Sequence, residues 1–151
     1  MATEIERKFL VRDMSFMSLA TSATELAQGY LSTDADATVR VRTCGDRAWL
    51  TVKSRNHGAT RDEWEYPVPV EDALQMLERC CADRKIVKTR YIVDAGDGLC
   101  WEIDVFHGRH EGLIVAEIEL PAADTAFSRP DFIGREVTGD PAYYNSVLCK
   151  A

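Results

Sequence analysis

The strongest constraint on what this chain folds into is a two-residue rhythm, polar then apolar, that recurs in eight short segments. Successive side chains of an extended strand point to opposite faces, so each segment presents one polar and one apolar face. The first, Glu4–Val11, sends Glu4, Glu6, Lys8 and Leu10 one way and Ile5, Arg7, Phe9 and Val11 the other. In Leu26–Ser32, Gln28, Tyr30 and Ser32 share a face, and in Thr38–Thr43 the valines oppose Arg40 and Arg42. A turn at Cys44–Arg47 leads into Ala48–Lys53, where Trp49, Thr51 and Lys53 lie together,. Arg61–Val68 sets Glu63 and Glu65 against Trp64 and Tyr66 before Pro67 and Pro69 end it,. Ile86–Val93 carries Lys88 and Arg90, Leu99–Phe106 carries Glu102 and Asp104, and Leu113–Leu120 carries Glu117 and Glu119.

Hairpin-length links between these segments predict a largely antiparallel sheet. Only Glu71–Cys81 has clear helical spacing, with Ala73, Leu74, Leu77 and Cys81 on one side,. Met14–Glu25 reads as a short helix or a loop over one end of the fold. From Pro121 the rhythm breaks into short pieces, and Asp140-Pro141 marks the start of a C-terminal helix running to about Cys149,. No repeat or linker divides the chain, so residues 1–151 are expected to form a single domain,.

A hydrophobic fraction of 46% with 28% charged residues describes an ordinary globule,. Net charge of -7 argues against a broad nucleic-acid surface, which needs summed positive charge,. No apolar run is long enough to span a membrane, and the charged start leaves no room for a signal peptide, so a cytoplasmic, reducing compartment is expected,. The five cysteines show no Cys-x-x-Cys pair and read as buried or inert thiols,. His107 and His110 fit no zinc spacing and are expected at a solvated turn,.

A sheet with one solvated face alternates in any case, so a lone Glu-x-Glu carries no information. Like charges placed two apart on strand after strand are different, because that arrangement is unfavourable unless something lies between them. Closing the strands into a barrel with polar faces inward would turn eight acids (Glu4, Glu6, Glu63, Glu65, Glu102, Asp104, Glu117, Glu119) and six bases (Lys8, Arg40, Arg42, Lys53, Lys88, Arg90) towards one lumen,. The expected class is therefore α+β, mainly β: a closed eight-stranded antiparallel β-barrel tunnel with a charged lumen, flanked by a few helices. Paired carboxylates without sulfur or imidazole suit hard divalent cations, and facing Arg and Lys suit phosphate.

Glu4-Ile5-Glu6-Arg7-Lys8 is similar to the Glu-x-Glu-x-Lys signature of the CYTH, or triphosphate tunnel metalloenzyme, family. Val39–Arg42, Thr51–Lys53, Glu63/Glu65, Lys88–Arg90 and Ala116–Glu119 follow in the order that family uses, and the whole resembles its short bacterial members. The resemblance implies metal-dependent hydrolysis of inorganic tripolyphosphate, with a linear triphosphate held beside a pair of Mg2+ or Mn2+ ions. It implies Glu4, Glu6, Glu117 and Glu119 as metal ligands, and Glu63 and Glu65 as a second metal set or a water-orienting pair. Lys8, Arg40, Arg42, Lys53, Lys88 and Arg90 are implied as phosphate ligands, with Lys88 and Arg90 stabilising the charge of the transferring group. Glu102, Asp104 and Tyr30 are further candidates for the tunnel. The same fold serves thiamine triphosphatases and adenylate cyclases. A polyphosphate- or nucleotide-binding module without turnover, and a plain barrel with its charges outside, are the readings that compete. A monomer or homodimer is expected, with no membrane or nucleic-acid partner.

Overall fold

The computed structural model describes residues 2–149. Its elements in chain order are β1 (Ala2–Val11), β2 (Ala20–Asp34), β3 (Ala37–Cys44), β4 (Arg47–Lys53), β5 (Thr60–Val68), α1 (Val70–Arg79), β6 (Lys85–Gly96), β7 (Leu99–Phe106), β8 (Ile114–Glu119), β9 (Ile133–Glu136) and α2 (Asn145–Leu148). Neighbours in the sheet run β5-β4-β3-β2-β6-β7-β8-β1-β9, and β5 pairs again with β1. Eight antiparallel strands therefore close into a barrel, as the alternation requires once every polar face is turned inward, and β9 lies outside the ring.

Closure depends on β1 dividing itself among three partners. Ala2–Ile5 pairs with Thr60–Glu63 of β5, Glu6–Leu10 pairs with β8, and Phe9 and Val11 reach Glu136 and Ile133 of β9. Where β1 leaves β5, the loop before β5 stays attached through the Glu6 amide, which donates to the Ala59 carbonyl.

Three expectations need correction. Only Ser15–Leu19 of the Met14–Glu25 stretch is helical, as a 3-10 turn that buries Phe16, and Ala20–Glu25 instead extends β2 to 15 residues. Thr21–Glu25 is exposed on both faces, so no apolar rhythm marks it, and pairing with β6 alone draws it out. The four residues of β9 are too few to show a period. The C-terminal helix is broken: Asp140 caps a 3-10 turn at Pro141–Tyr143 as expected, but Tyr144 is extended and only Asn145–Leu148 is α-helical.

Two apolar clusters cover the outside of the barrel. Phe9, Trp101, Ile103 and Ile118 face outward beneath the Ser15–Leu19 turn, Phe132 and β9. Phe9, Trp101 and Phe127 meet edge to face with centroids 5.5–6.1 Å apart. On the other side α1, which ends at Arg79 short of the expected Cys81, lays Ala73 and Leu77 on Val41 and Ala48, with Cys81 just beyond it, while Leu74, expected on that face, is 53% exposed. Cys81 and Cys149 are buried, but Cys80 and Cys100 are exposed rather than sheltered. His107 is exposed and bonded to Thr89 at 2.7 Å, and His110 stands edge-on to Phe106. Among the described residues no helix is long and apolar enough to cross a membrane.

Gly29 on β2 is where α1 comes closest. A Cβ there would stand 2.7 Å from Cys81 Sγ and 2.8 Å from Leu77 Cδ2. Gly29→Ala should therefore destabilise the fold by about 1–3 kcal/mol, the usual range for overpacking. That would lower the Tm by roughly 3–10 °C for a chain of this size. Combining it with Cys81→Ala should recover part of the loss, and an unchanged Tm in the single variant would show that α1 can shift aside.

Candidate active site in the lumen of the barrel

Period-two alternation and closure together bring Glu4, Glu6, Lys8, Tyr30, Arg40, Arg42, Lys53, Glu63, Glu65, Arg90, Glu102, Glu117 and Glu119 onto the wall of one cavity of about 240 Å³. Strand order adds something alternation does not show. Going round the ring, β7, β8, β1 and β5 carry the acids, and β4, β3 and β6 carry the bases. The lumen thus has an acidic half and a basic half, with Lys8 and Arg61 as cations set among the acids.

Ion pairs form where the halves meet. Lys53 Nζ lies 2.8 Å from Glu4 and 3.5 Å from Glu63, directly across the β4–β5 pairing. Within the acidic half, Lys8 Nζ is 3.4 Å from Glu117. Arg90 reaches Glu102 at 2.5 Å and Asp104 at 2.8 Å. In the middle of the basic half the pairing is loose: Arg40 and Arg42 approach Glu65 only to 3.8 and 3.9 Å. The Nε of each is buried and without a hydrogen-bond partner among the described residues. Buried donors left open in this way call for an anion.

Two candidates lie deeper than expected. Lys88 and Asp104 are 1% and 2% exposed and stand behind the cavity wall, with Nζ 2.6 Å from the carboxylate. Asp104 also accepts from Arg90 Nε and Nη2 at 2.8 and 3.0 Å. Lys88, expected among the phosphate ligands, is thus not on the cavity wall. It fixes Asp104, which in turn holds Arg90 at the surface of the cavity. Burial pushes the Lys88 ammonium down to about 8, although Asp104 opposes the shift.

The acidic half is electrostatically strained. Burial and the neighbouring charges of Glu117 and Glu4 hold the Glu6 carboxyl well above its ordinary value. A hydrogen bond shared with Glu4, together with partial burial, raises Glu63 to about 7. For Glu4 burial acts upward, but the Glu63 hydrogen bond and the Lys53 ammonium outweigh it and hold the carboxyl low. Glu117 is likewise held low against its burial, by Lys8 and Arg90.

One end of the lumen is apolar, which the charged rhythm does not announce. Tyr30, Ile86, Phe106 and Val115 pack there with Leu148 and Cys149. The C-terminal segment lines the cavity with Tyr144, Asn145 and Ser146. Arg109 anchors it by donating to the Cys149 carbonyl at 2.6 Å, and Lys8 Nζ donates to the Tyr143 carbonyl at 3.1 Å. No pattern in the sequence flags these floor residues. Arg61 also lines the cavity and was findable, since it shares its strand face with Glu63 and Glu65. Trp64 and Trp101 lie on the outward face as expected, and Trp49 is flanked by the guanidiniums of Arg42 and Arg47 at 5.4 and 5.1 Å.

A family model for the CYTH domain matches residues 2–144. This chain belongs to the CYTH domain family. It is similar to an inorganic triphosphatase of Acetivibrio thermocellus, 47% identical over 150 residues that span 99% of this chain and 95% of that one. An inorganic triphosphatase of Nitrosomonas europaea is 39% identical over 97% of this chain and 96% of its own. A crystal structure of an inorganic triphosphatase superposes with a TM-score of 0.69 at 34% identity, covering 98% of both chains.

A site of this kind implies a divalent ion, and the donor set of this CYTH chain bears on it directly. Seven carboxylates and no imidazole or thiolate line the acidic half, the chemistry of a hard cation,. Glu4 and Glu63 share a hydrogen bond, which puts a proton where a cation would serve better. Among the described residues no three His, Cys, Asp or Glu groups already converge as a cage, so ligands from substrate or water would complete the shell. The residues fit the ion.

The Lys88–Asp104–Arg90 group generates a stability prediction. Asp104→Ala leaves the buried Lys88 ammonium unanswered, while Arg90 keeps Glu102, and should cost about 3–5 kcal/mol,. Lys88→Met should cost less, because Arg90 still neutralises Asp104. Urea unfolding of both variants checks the order, and a reversed order would mean that Asp104 is not the hub.

Proposed function

We propose that this chain is a divalent-metal-dependent inorganic triphosphatase, hydrolysing tripolyphosphate to pyrophosphate and phosphate inside the barrel. One observation carries the reading: an acidic half able to hold cations faces, across about 240 Å³, a basic half whose Arg40 and Arg42 have open buried donors. That volume lies below the roughly 300–1,000 Å³ of sites for drug-sized ligands, which favours a bare phosphate chain over a nucleoside. Trp49, the one tryptophan on the inward face, already has two guanidiniums against its ring.

Glu4, Glu6, Glu117 and Glu119 would hold Mg2+ or Mn2+, with Glu63 and Glu65 available to a second ion. The ion supplies charge neutralisation of the phosphate oxygens and polarisation of the phosphorus. Arg40, Arg42 and Lys53 bind the chain of phosphates along the basic half, and Arg61 reaches it from β5 across the seam. Guanidiniums can grip two oxygens at once, so they set orientation as well as charge. Water attacks the terminal phosphorus in line, oriented by Glu63 and Glu65. As a carboxylate beside that water, Glu63 can take its proton. Arg90, held by Asp104, stabilises the charge that develops on the leaving pyrophosphate oxygen.

Phosphate release from tripolyphosphate, ATP and thiamine triphosphate, each with Mg2+, Mn2+ or EDTA, tests the reading. Metal-dependent release from tripolyphosphate, with little from the other two, is the expected result. Cyclic nucleotide from ATP, or stabilisation by tripolyphosphate without turnover, would replace it with another member of the fold. Glu6→Gln should cut turnover by more than the roughly 10–100-fold typical of losing an outer-shell metal partner, while the Tm stays within a few degrees.

A further inference from the structure

Gln28 is the one uncharged amide buried in the basic half, and no role assigned above accounts for it. It is 1% exposed, on the inward face of β2 between the arginines of β3 and the Lys88 strand. Burying an amide there is costly unless its atoms are used, and a Leu or Met would fill the same volume. One of its atoms is used: Nε2 donates to Tyr30 Oη at 3.3 Å. Its Oε1 has no partner among the described residues, and neither does the buried Nε of Arg42, which stands directly across in the β2–β3 register. The amide NH2 is thus the end turned to the phenol.

A phenol that accepts from an amide turns its own proton elsewhere. Tyr30 lines the cavity, and Arg40, Lys8 and Arg61 are the cations that bear on it. Burial lifts its ionisation above the ordinary value in spite of those cations, so the hydroxyl stays protonated. A register shift between Tyr30 and Ser32 adds local twist at this point, a device that commonly re-aims side chains beside sites,. The proton is thus directed into the space where a phosphate chain would lie among three cations.

We propose that Gln28 is a positioning residue for the triphosphatase reaction: by occupying one lone pair of Tyr30, it aims the Tyr30 O–H at a phosphoryl oxygen. This rests on the triphosphatase reading above. Tyr30 touches the substrate, and Gln28 acts only through Tyr30.

The test is a double-mutant cycle on tripolyphosphate turnover, with Gln28→Met, Tyr30→Phe and the pair. Each single variant lowers kcat about tenfold, the order of one hydrogen bond to a charged group, with KM changed less than about threefold. The pair is no slower than Tyr30→Phe alone, a non-additivity that a merely structural Gln28 would not produce. Gln28→Glu, an acceptor when ionised, draws the phenol proton away from the lumen and falls below Gln28→Met. Should Gln28→Met not fold, Gln28→Asn withdraws the amide by one methylene and takes its place, with the same outcomes. Additive losses, a fully active Gln28→Met, or a Gln28→Glu as fast as the unmutated chain would overturn the role of Gln28 alone. An unmutated chain inert towards tripolyphosphate would overturn the triphosphatase reading and this role with it.

Discussion

A closed sheet cannot carry charge on its inside unless that charge is answered from across the lumen. Removing one partner of a buried pair strands the other at a cost of several kcal/mol, so the interior of this barrel must be matched strand by strand. The matching is visible in the register: Lys53 opposite Glu63, Arg90 opposite Asp104 and Lys8 opposite Glu117 are cross-strand neighbours. All of it depends on the short seam between Ala2–Ile5 and Thr60–Glu63, which brings the acids of β1 and β5 into the same arc.

Matching is incomplete in a directional way. Around Asp104 every donor is taken, and the group is stiff. Towards Arg40, Arg42 and Glu6 the charges are either loosely answered or answered by their own kind. The barrel therefore stores its unmet demand in two places, a surplus of negative charge on one half and open donors on the other. A polyanion accompanied by cations satisfies both at once, and neither partner alone would.

Much of this was legible in the sequence, because alternation at period two states which side chains share a face and closure then makes those faces meet. Glu4, Arg40, Lys53, Glu63 and Glu117 were assigned to one lumen on that basis, and the structure brings them together. Depth was not legible. Lys88 and Arg90 read alike as neighbours on one face, yet one is sealed behind Asp104 and the other lines the cavity, because Lys88 stands at the apolar end, over the Phe106 ring. The division into acidic and basic halves requires strand order, which no single strand encodes. Ala20–Glu25 escaped notice because a strand exposed on both faces has no contrast to display. The floor built by Tyr144, Asn145 and Ser146 escaped because it follows from where the chain's end happens to lodge. Leu74 was misplaced by a fraction of a helical turn.

The three-way sharing of β1 has a consequence for how the molecule comes into being. Phe9 meets Glu136, and the Val137 amide donates to the Lys8 carbonyl, so the first strand is completed only by residues near the end of the chain. Contacts of such sequence separation carry a heavy loop-closure cost and slow the search for the native state. During synthesis the first strand would therefore wait, one edge unsatisfied, until β8 and β9 have left the ribosome.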